Sequence, residues 1–307
     1  MMEQILYLRH GDIDKAAWDE AVMKSLSGMA YASSWYLDIV CPRWEALATH
    51  DYSMFMPLTW RKKFGIRYLF QPPFTQQLGL FAVQRKTGTK EMAAFLQAIP
   101  SQFRYIDIFL NAGDTYEGNA ATKVFPRITH HLNLGKHYDD IRKGYSENLV
   151  RNLRKATAAG LSIGHANPAS LIGLFRQNRG SSIETLKERE YEILSRLLAS
   201  GIDRGQVTIS GISDGGKLLA GAVFLRSFKE YIFLFSAAGP EAKETGAMSL
   251  IIDRFIHDHS NEKMMLDFEG SMDKNLSRFY KSFGAVEIVY LHIQQNKLPL
   301  PVRWMKS

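Results

Sequence analysis

Between residues 217 and 285 the chain reads strand, strand, turn, long helix, strand, short helix and a closing Phe-Gly, and this order limits the possible folds more than any other feature. The runs Lys217-Leu-Leu-Ala-Gly-Ala-Val-Phe-Leu-Arg226 and Tyr231-Ile-Phe-Leu-Phe-Ser236 are apolar and close enough in sequence to pair. A polar turn over residues 238–247 leads into a helix over 248–257, a strand over 264–268, the turn Glu269-Gly-Ser271 and a helix over 276–284. A helix that starts just after a strand aims its unpaired N–H groups beyond the strand's end, which suits an anionic group.

The length of 307 residues fits two ordinary domains or one large one. Hydrophobic residues at 46% and charged residues at 22% are globular values, so a sizeable core can be buried. The formal charge of +7 and the pI of about 9.3 suit an anionic partner: a phosphorylated cofactor, a nucleotide-linked substrate, RNA or a membrane surface. The basic residues form no single block, so charge does not choose among these. Cys41 is the one cysteine, which excludes an intrachain disulfide and suits a reducing cytoplasm. It follows the apolar segment Trp35-Tyr-Leu-Asp-Ile-Val40 and reads as a buried structural thiol rather than a nucleophile. Arg9, His10, Asp12, Asp14 and Lys15 interrupt any signal-peptide pattern, and no segment approaches the ~20 apolar residues of a membrane span. A cytoplasmic location is therefore expected.

After a first helix capped by Ser33-Ser34, residues 44–48 and 52–60 have strand composition. Arg61-Lys-Lys-Phe-Gly65 reads as a basic turn and residues 66–70 as another strand. Two prolines in Gln71-Pro-Pro-Phe-Thr-Gln-Gln-Leu-Gly79 exclude a central paired strand, which predicts an irregular segment facing a cleft. A helix over 90–99 and strands over 103–110 and 124–134 follow. Residues 138–160 are charged and helical with Gly160 as a stop; 161–165 is a short strand, Pro168 opens a helix, 184–198 is another, and 206–212 begins the final strand run. The predicted division is 1–140, 141–294 and a tail of 295–307. Residues 54–60 with 66–70 loosely echo 217–226 with 231–235, which hints at a duplicated α/β unit.

The helix Ser146-Glu-Asn-Leu-Val-Arg-Asn-Leu-Arg-Lys-Ala156, the run Leu266-Asp-Phe-Glu-Gly-Ser271 and the motif Arg278-Phe-Tyr-Lys-Ser-Phe-Gly-Ala285 resemble segments of the Fem-type peptidyltransferases, as does the Pro-rich segment 70–79. The resemblance covers most of the chain in the same order. It implies an α/β (α+β) fold: two tandem GNAT-like domains, each a mixed, mostly antiparallel sheet flanked by helices. It places the site in the cleft between them or on the second domain, and lets the tail, with Pro299, Pro301 and Trp304, return to the first. Fem proteins transfer an aminoacyl group from aminoacyl-tRNA to a peptidoglycan precursor; relatives in the wider GNAT superfamily use acyl-CoA. The chain departs from both patterns. It lacks the helical-hairpin insertion of some Fem proteins. Of the pyrophosphate loop of acetyl-CoA enzymes, only Thr245-Gly246-Ala247 resembles its end.

Amide formation from a thioester or ester needs a neutral amine, donors for the oxyanion and a proton for the leaving group. Phe235, Ser236 and Ala237 at the strand end, with Thr245, Gly246 and Ala247 at the helix start, are candidates for holding the donor. The resemblance adds Tyr280 as an acid and Lys281 as a charge stabiliser; solvated helix positions are the plain alternative. If Lys281 acts in this way, Lys281→Ala lowers turnover without unfolding the chain. Asp267 and Glu269 alternate onto one face, as base or amine-orienting carboxylates or as surface acids and a cap. Arg151, Arg154 and Lys155 form a basic helix face, for an anion or for solvent, and Gln71, Phe74 and Gln76 are candidates for the acceptor. His130 and His131 point to opposite faces, and His257 and His259 diverge, so no metal is expected. Gly211–Gly216 reads as a hairpin turn rather than a phosphate loop. The expected activity is N-acyl transfer from acyl-CoA or aminoacyl-tRNA to a small-molecule or cell-wall-precursor amine, without DNA or a transmembrane segment. The alternatives are a catalytically silent GNAT-like binding protein and, last, an RNA-binding protein.

Overall fold

Apolar and aromatic residues recur at sheet and helix spacings throughout the chain, and the computed structural model, which describes residues 3–270 and 272–298, gathers them into two units. One comprises residues up to Ile128 together with those from Ile288 onward; the other is Thr129–Glu287. Among the described residues the strand pairs of each unit are mostly antiparallel and include a parallel pair, flanked by helices, which is the α/β architecture expected.

The first unit begins with β1 (Leu6–Leu8), α1 (Lys15–Lys24), α2 (Ser34–Val40), β2 (Glu45–Ala48) and β3 (Met54–Leu58). It continues with β4 (Trp60–Lys63), β5 (Ile66–Phe70), β6 (Phe81–Ala82), α3 (Thr89–Ala98), β7 (Phe103–Phe109) and the start of β8 (Thr122–Asn133). Strands β1, β2, β3 and β6 form one antiparallel sheet in that order. The expected strand over 52–60 divides at Thr59, whose hydroxyl donates to the Phe70 carbonyl at 2.6 Å, and β4 joins β5 in a different sheet. Arg61, Lys62 and Lys63 therefore lie in a strand and not in a turn. The turn is Phe64-Gly65, with φ of 50° and 79°, the geometry that matches the twist of a two-residue hairpin. Ser33 precedes α2 as expected but does not cap it with its side chain. Asp19 substitutes, accepting the Ser34 N–H at 2.7 Å and its hydroxyl at 2.6 Å. Met54, Met56 and Leu58 pack with Phe95 of α3 and with Phe103, Ile106 and Ile108 of β7. Cys41 is buried.

The second unit takes the end of β8, then α4 (Tyr138–Arg142), α5 (Glu147–Ala158), β9 (Ile163–His165), α6 (Pro168–Gln177) and α7 (Glu188–Asp203). There follow β10 (Val207–Asp214), β11 (Lys217–Arg226), β12 (Glu230–Ala238), α8 (Pro240–Thr245), α9 (Ala247–Asp258), β13 (Met265–Asp267) and α10 (Lys274–Lys281). The strand β14 (Val286–Asn296) follows; from Ile288 it belongs to the first unit, where it pairs antiparallel with β7, from Asn296 opposite Tyr105 to His292 opposite Phe109. The Lys297 N–H continues to the Arg104 carbonyl; tail residues 299–307 lie outside the described residues. The order β8-β13-β12-β11-β10-β9 contains one parallel pair, β12 with β13.

Three local expectations are revised. Residues 138–160 form two helices, because the Ser146 hydroxyl accepts the Leu149 N–H and starts a new one. Helix α7 starts at Glu188 rather than 184 and runs to Asp203. The polar stretch 238–247 contains α8, opened by Pro240 at a favoured first position and built from Glu-Ala-Lys-Glu, all good helix formers. The hairpin turn expected over residues 211–216 narrows to Gly215-Gly216, with φ of 53° and 81°, because β10 runs on to Asp214.

Candidate active site

Strands β12 and β13 pair only from Glu230 opposite Met265 to Ile232 opposite Asp267. β13 then ends, while β12 continues to Ala238 with β11 on its other edge. From Phe233 onward β12 therefore no longer pairs with β13. Beyond the divergence lies a cavity of about 810 Å3. Phe233, Ser236 and Ala237 of β12 line it, with Gly246, Met248 and Ser249 at the start of α9 and Leu276, Phe279 and Tyr280 of α10. Arg179 and Lys243 bring positive charge to its wall and Glu244 a negative one.

Gly246 joins α8 to α9 with φ of 75°. A Cβ there would sit 2.5 Å from the Asn152 carbonyl oxygen, so conformation and close packing both demand glycine. Gly246→Ala is expected to lose about 1–2 kcal/mol from the left-handed backbone alone, and more from the collision. Urea unfolding measures this; wild-type stability in the variant would contradict the packing described.

Of the candidates for donor binding, Ser236, Ala237 and Gly246 line the cavity. Phe235 instead packs on Phe175, ring centroids 4.7 Å apart. The Thr245 hydroxyl donates back to the Glu241 carbonyl at 2.9 Å, and Ala247 is fully buried as the first residue of α9. Tyr280 lines the cavity while stacking on Phe268 at 5.1 Å. Burial, then the Glu269 carboxylate, pushes its phenol well above the ordinary tyrosine range. Glu269 follows the end of β13 with φ of 59°, so strand alternation does not carry it onto the face of Asp267. Asp267 is 3% exposed and locked: its Oδ1 accepts the Thr129 hydroxyl at 2.5 Å and the Glu269 N–H at 2.8 Å. Lys281 is half exposed and pairs with Glu287 at 2.9 Å.

Arg151, Arg154 and Lys155 are exposed on α5, with Arg151 donating to Asn148 at 2.5 Å; Asn152 of the same helix reaches the cavity. Gln71, Phe74 and Gln76 belong to the first unit. The Gln71 amide donates to the Thr75 carbonyl and accepts the Phe109 N–H, the Phe74 carbonyl accepts the Tyr36 hydroxyl, and Gln76 accepts from Gln77. The structure thus brings Tyr280, Ser236, Ala237 and Gly246 to one cavity. Sequence reasoning missed Phe175, Arg179, Lys243 and Phe279. Phe279 lies inside the quoted 278–285 motif, whereas Arg179, which pairs with Asp273 at 3.7 Å, follows α6 with no local signal.

A family model described as an acetyltransferase (GNAT) domain matches residues 143–281, the stretch that holds this cavity. Among solved structures, FemX shares 11% identity with a TM-score of 0.69, covering 99% of each chain. A conserved protein of unknown function from Bacteroides thetaiotaomicron VPI-5482 shares 10% identity with a TM-score of 0.61, covering 96% of this chain and 100% of that one. The C-terminal domain of an Agrobacterium fabrum protein provisionally named a lysylphosphatidylglycerol synthetase shares 11% identity with a TM-score of 0.55, covering 92% and 91%. A comparison with curated proteins found no match. At such identities the structures establish the fold alone: the chain has the fold of FemX, and its residues 143–281 match the model of a GNAT acetyltransferase domain.

Proposed function

We propose that this protein is an N-acyltransferase that moves an acyl or aminoacyl group from an activated donor to an amine. The observation that carries the reading is the cavity at the β12/β13 divergence, with β12 running past its pairing with β13 on one side and the buried Tyr280 on the other. The donor's carbonyl lies against the cavity-lining end of β12, where backbone N–H groups suit the developing oxyanion. The neutral amine attacks, the C–N bond forms, and the C–S or C–O bond to the leaving group breaks. Tyr280, which keeps its proton throughout the neutral range, donates it to the departing thiolate or alkoxide. Glu269, close enough to raise the Tyr280 pKa, is the carboxylate we assign to orienting the amine or taking up its proton.

For the donor we favour an aminoacyl-tRNA over acyl-CoA. A CoA pyrophosphate is held by backbone N–H groups presented by a loop before a helix. Here residues 240–245 coil into α8, where the Ala242 N–H goes to Gly239 and the Gly246 N–H to Ala242. Arg179 and Lys243 remain as side-chain contacts for an anionic donor. The acceptor, by the Fem-type resemblance, is a small-molecule or cell-wall-precursor amine. Among the described residues no helix is long and apolar enough to cross a membrane.

Calorimetry tests the donor. Charged tRNA is expected to bind saturably, with affinity that falls as salt rises, and acetyl-CoA and desulfo-CoA only weakly. Saturable micromolar CoA binding with no tRNA binding would transfer the assignment to a CoA donor. Binding of neither would point to a catalytically silent relative.

A further inference from the structure

Leu266 of β13 and Phe268 just after it join Tyr280 in the core, and strand alternation turns Asp267 to the opposite face of the sheet. On that opposite face Asp267 meets His131 of β8 and Glu230 of β12. One potential ligand atom from each of the three lies within 4.8 Å of the others, and His131 Nε2 stands 3.4 Å from Asp267 Oδ2. The Asp267 side chain is 4% exposed and that of His131 16%. His131 Nε2 is buried without a hydrogen-bond partner, and among the described residues no donor hydrogen-bonds the Glu230 carboxylate. Asp267 Oδ1 is already engaged by Thr129 and by the Glu269 N–H, which leaves Oδ2 turned toward His131.

A buried and a half-buried carboxylate brought this close need positive charge nearby. A divalent cation supplies it, leaving the imidazole neutral and both carboxylates ionised. One imidazole nitrogen and two carboxylate oxygens suit a transition-metal ion such as Zn2+, whose bonds of about 2.0–2.2 Å leave room for water as a fourth ligand. Thr129 and the Glu269 N–H act as the outer contacts that orient a ligating carboxylate.

We propose that His131, Glu230 and Asp267 form a divalent transition-metal site that ties β8, β12 and β13 together at the root of the divergence. The inference stands apart from the donor assignment. It also replaces the metal-free expectation of the sequence, which considered only neighbouring histidines and not a histidine with two distant acids. The site fixes the strand from which Glu269 emerges, so its role is to position and not to react.

The test uses the full chain, stripped with chelator and dialysed, then titrated with Zn2+ and, for its visible d–d bands, Co2+. One equivalent of either ion is expected, with a raised melting temperature. Glu230→Gln, which keeps the side chain's shape, is expected to abolish saturable binding. Thr129→Val, which leaves all three ligands in place, is expected to weaken it by about 10- to 100-fold. Failure of the stripped wild-type protein to bind either ion saturably would overturn the proposal. So would wild-type affinity in both variants, confirmed as folded by circular dichroism.

Discussion

Tyr280→Phe is expected to lower turnover by about 10²–10⁴-fold, the usual contribution of a positioned acid, equivalent to roughly 3–5 kcal/mol of barrier. The ring stays stacked on Phe268 and packed against Phe233 and Phe279, so the loss is of the hydroxyl alone. Donor affinity is therefore expected to remain close to wild type. Because burial and Glu269 hold the phenol protonated, the activity attributable to it shows no loss across neutral pH. A further signature separates proton donation from packing. With a donor whose leaving group is a better one, such as an aryl thioester, the variant's defect shrinks, since that group departs without a proton. An unchanged rate, or a defect independent of the leaving group, would remove Tyr280 from the role of acid.

Phe268→Ala is expected to cost about 3–5 kcal/mol of stability, the range for emptying a large aromatic site in a packed core. Phe268 is fully buried and lies between Tyr280 at 5.1 Å and Phe283 at 5.7 Å, within reach of Phe233 at 6.1 Å. The cluster comes from strand β12, the end of β13, helix α10 and the segment after it, so no single element can close over the gap. Domain stabilities of about 5–15 kcal/mol make this a large fraction of the whole. Urea unfolding reads the loss, and the folded remainder is expected to have reduced turnover because Tyr280 has lost the surface it stacks on. A cost below about 1 kcal/mol would mean that the aromatic cluster is not the core of this unit.

How much of this was legible in the chain follows from the range over which each signal acts. Apart from α8, the strands and helices from Lys217 to Lys281 declared themselves because sheet alternation, helix spacing and the glycines at 215, 216 and 246 are local. The cavity was legible where it is made of consecutive residues: Ser236 and Ala237 at a strand's end, Gly246 at a helix's start. Helix α8 was hidden because its polar composition suits a turn as well as an exposed helix, and only the Gly239-Pro240 start separates them. The second helix start at Ser146 was masked by the charged residues that run across it. Asp19 capping α2, Arg179 at the cavity and the meeting of His131, Glu230 and Asp267 depend on segments far apart in sequence, for which local patterns carry no information. The placement of Glu269 depended on where β13 stops, which is set by its pairing with β8 and β12 rather than by its own residues.

The most direct measurement is acyl transfer itself: the full chain mixed with labelled aminoacyl-tRNA or labelled acetyl-CoA and a panel of amines that includes peptidoglycan precursors, with the acceptor's mass gain followed over time. The account predicts transfer of the label to an amine, faster from aminoacyl-tRNA, and a rate that collapses in Tyr280→Phe. No transfer from either donor across the panel, by folded protein that still binds the donor, would contradict it.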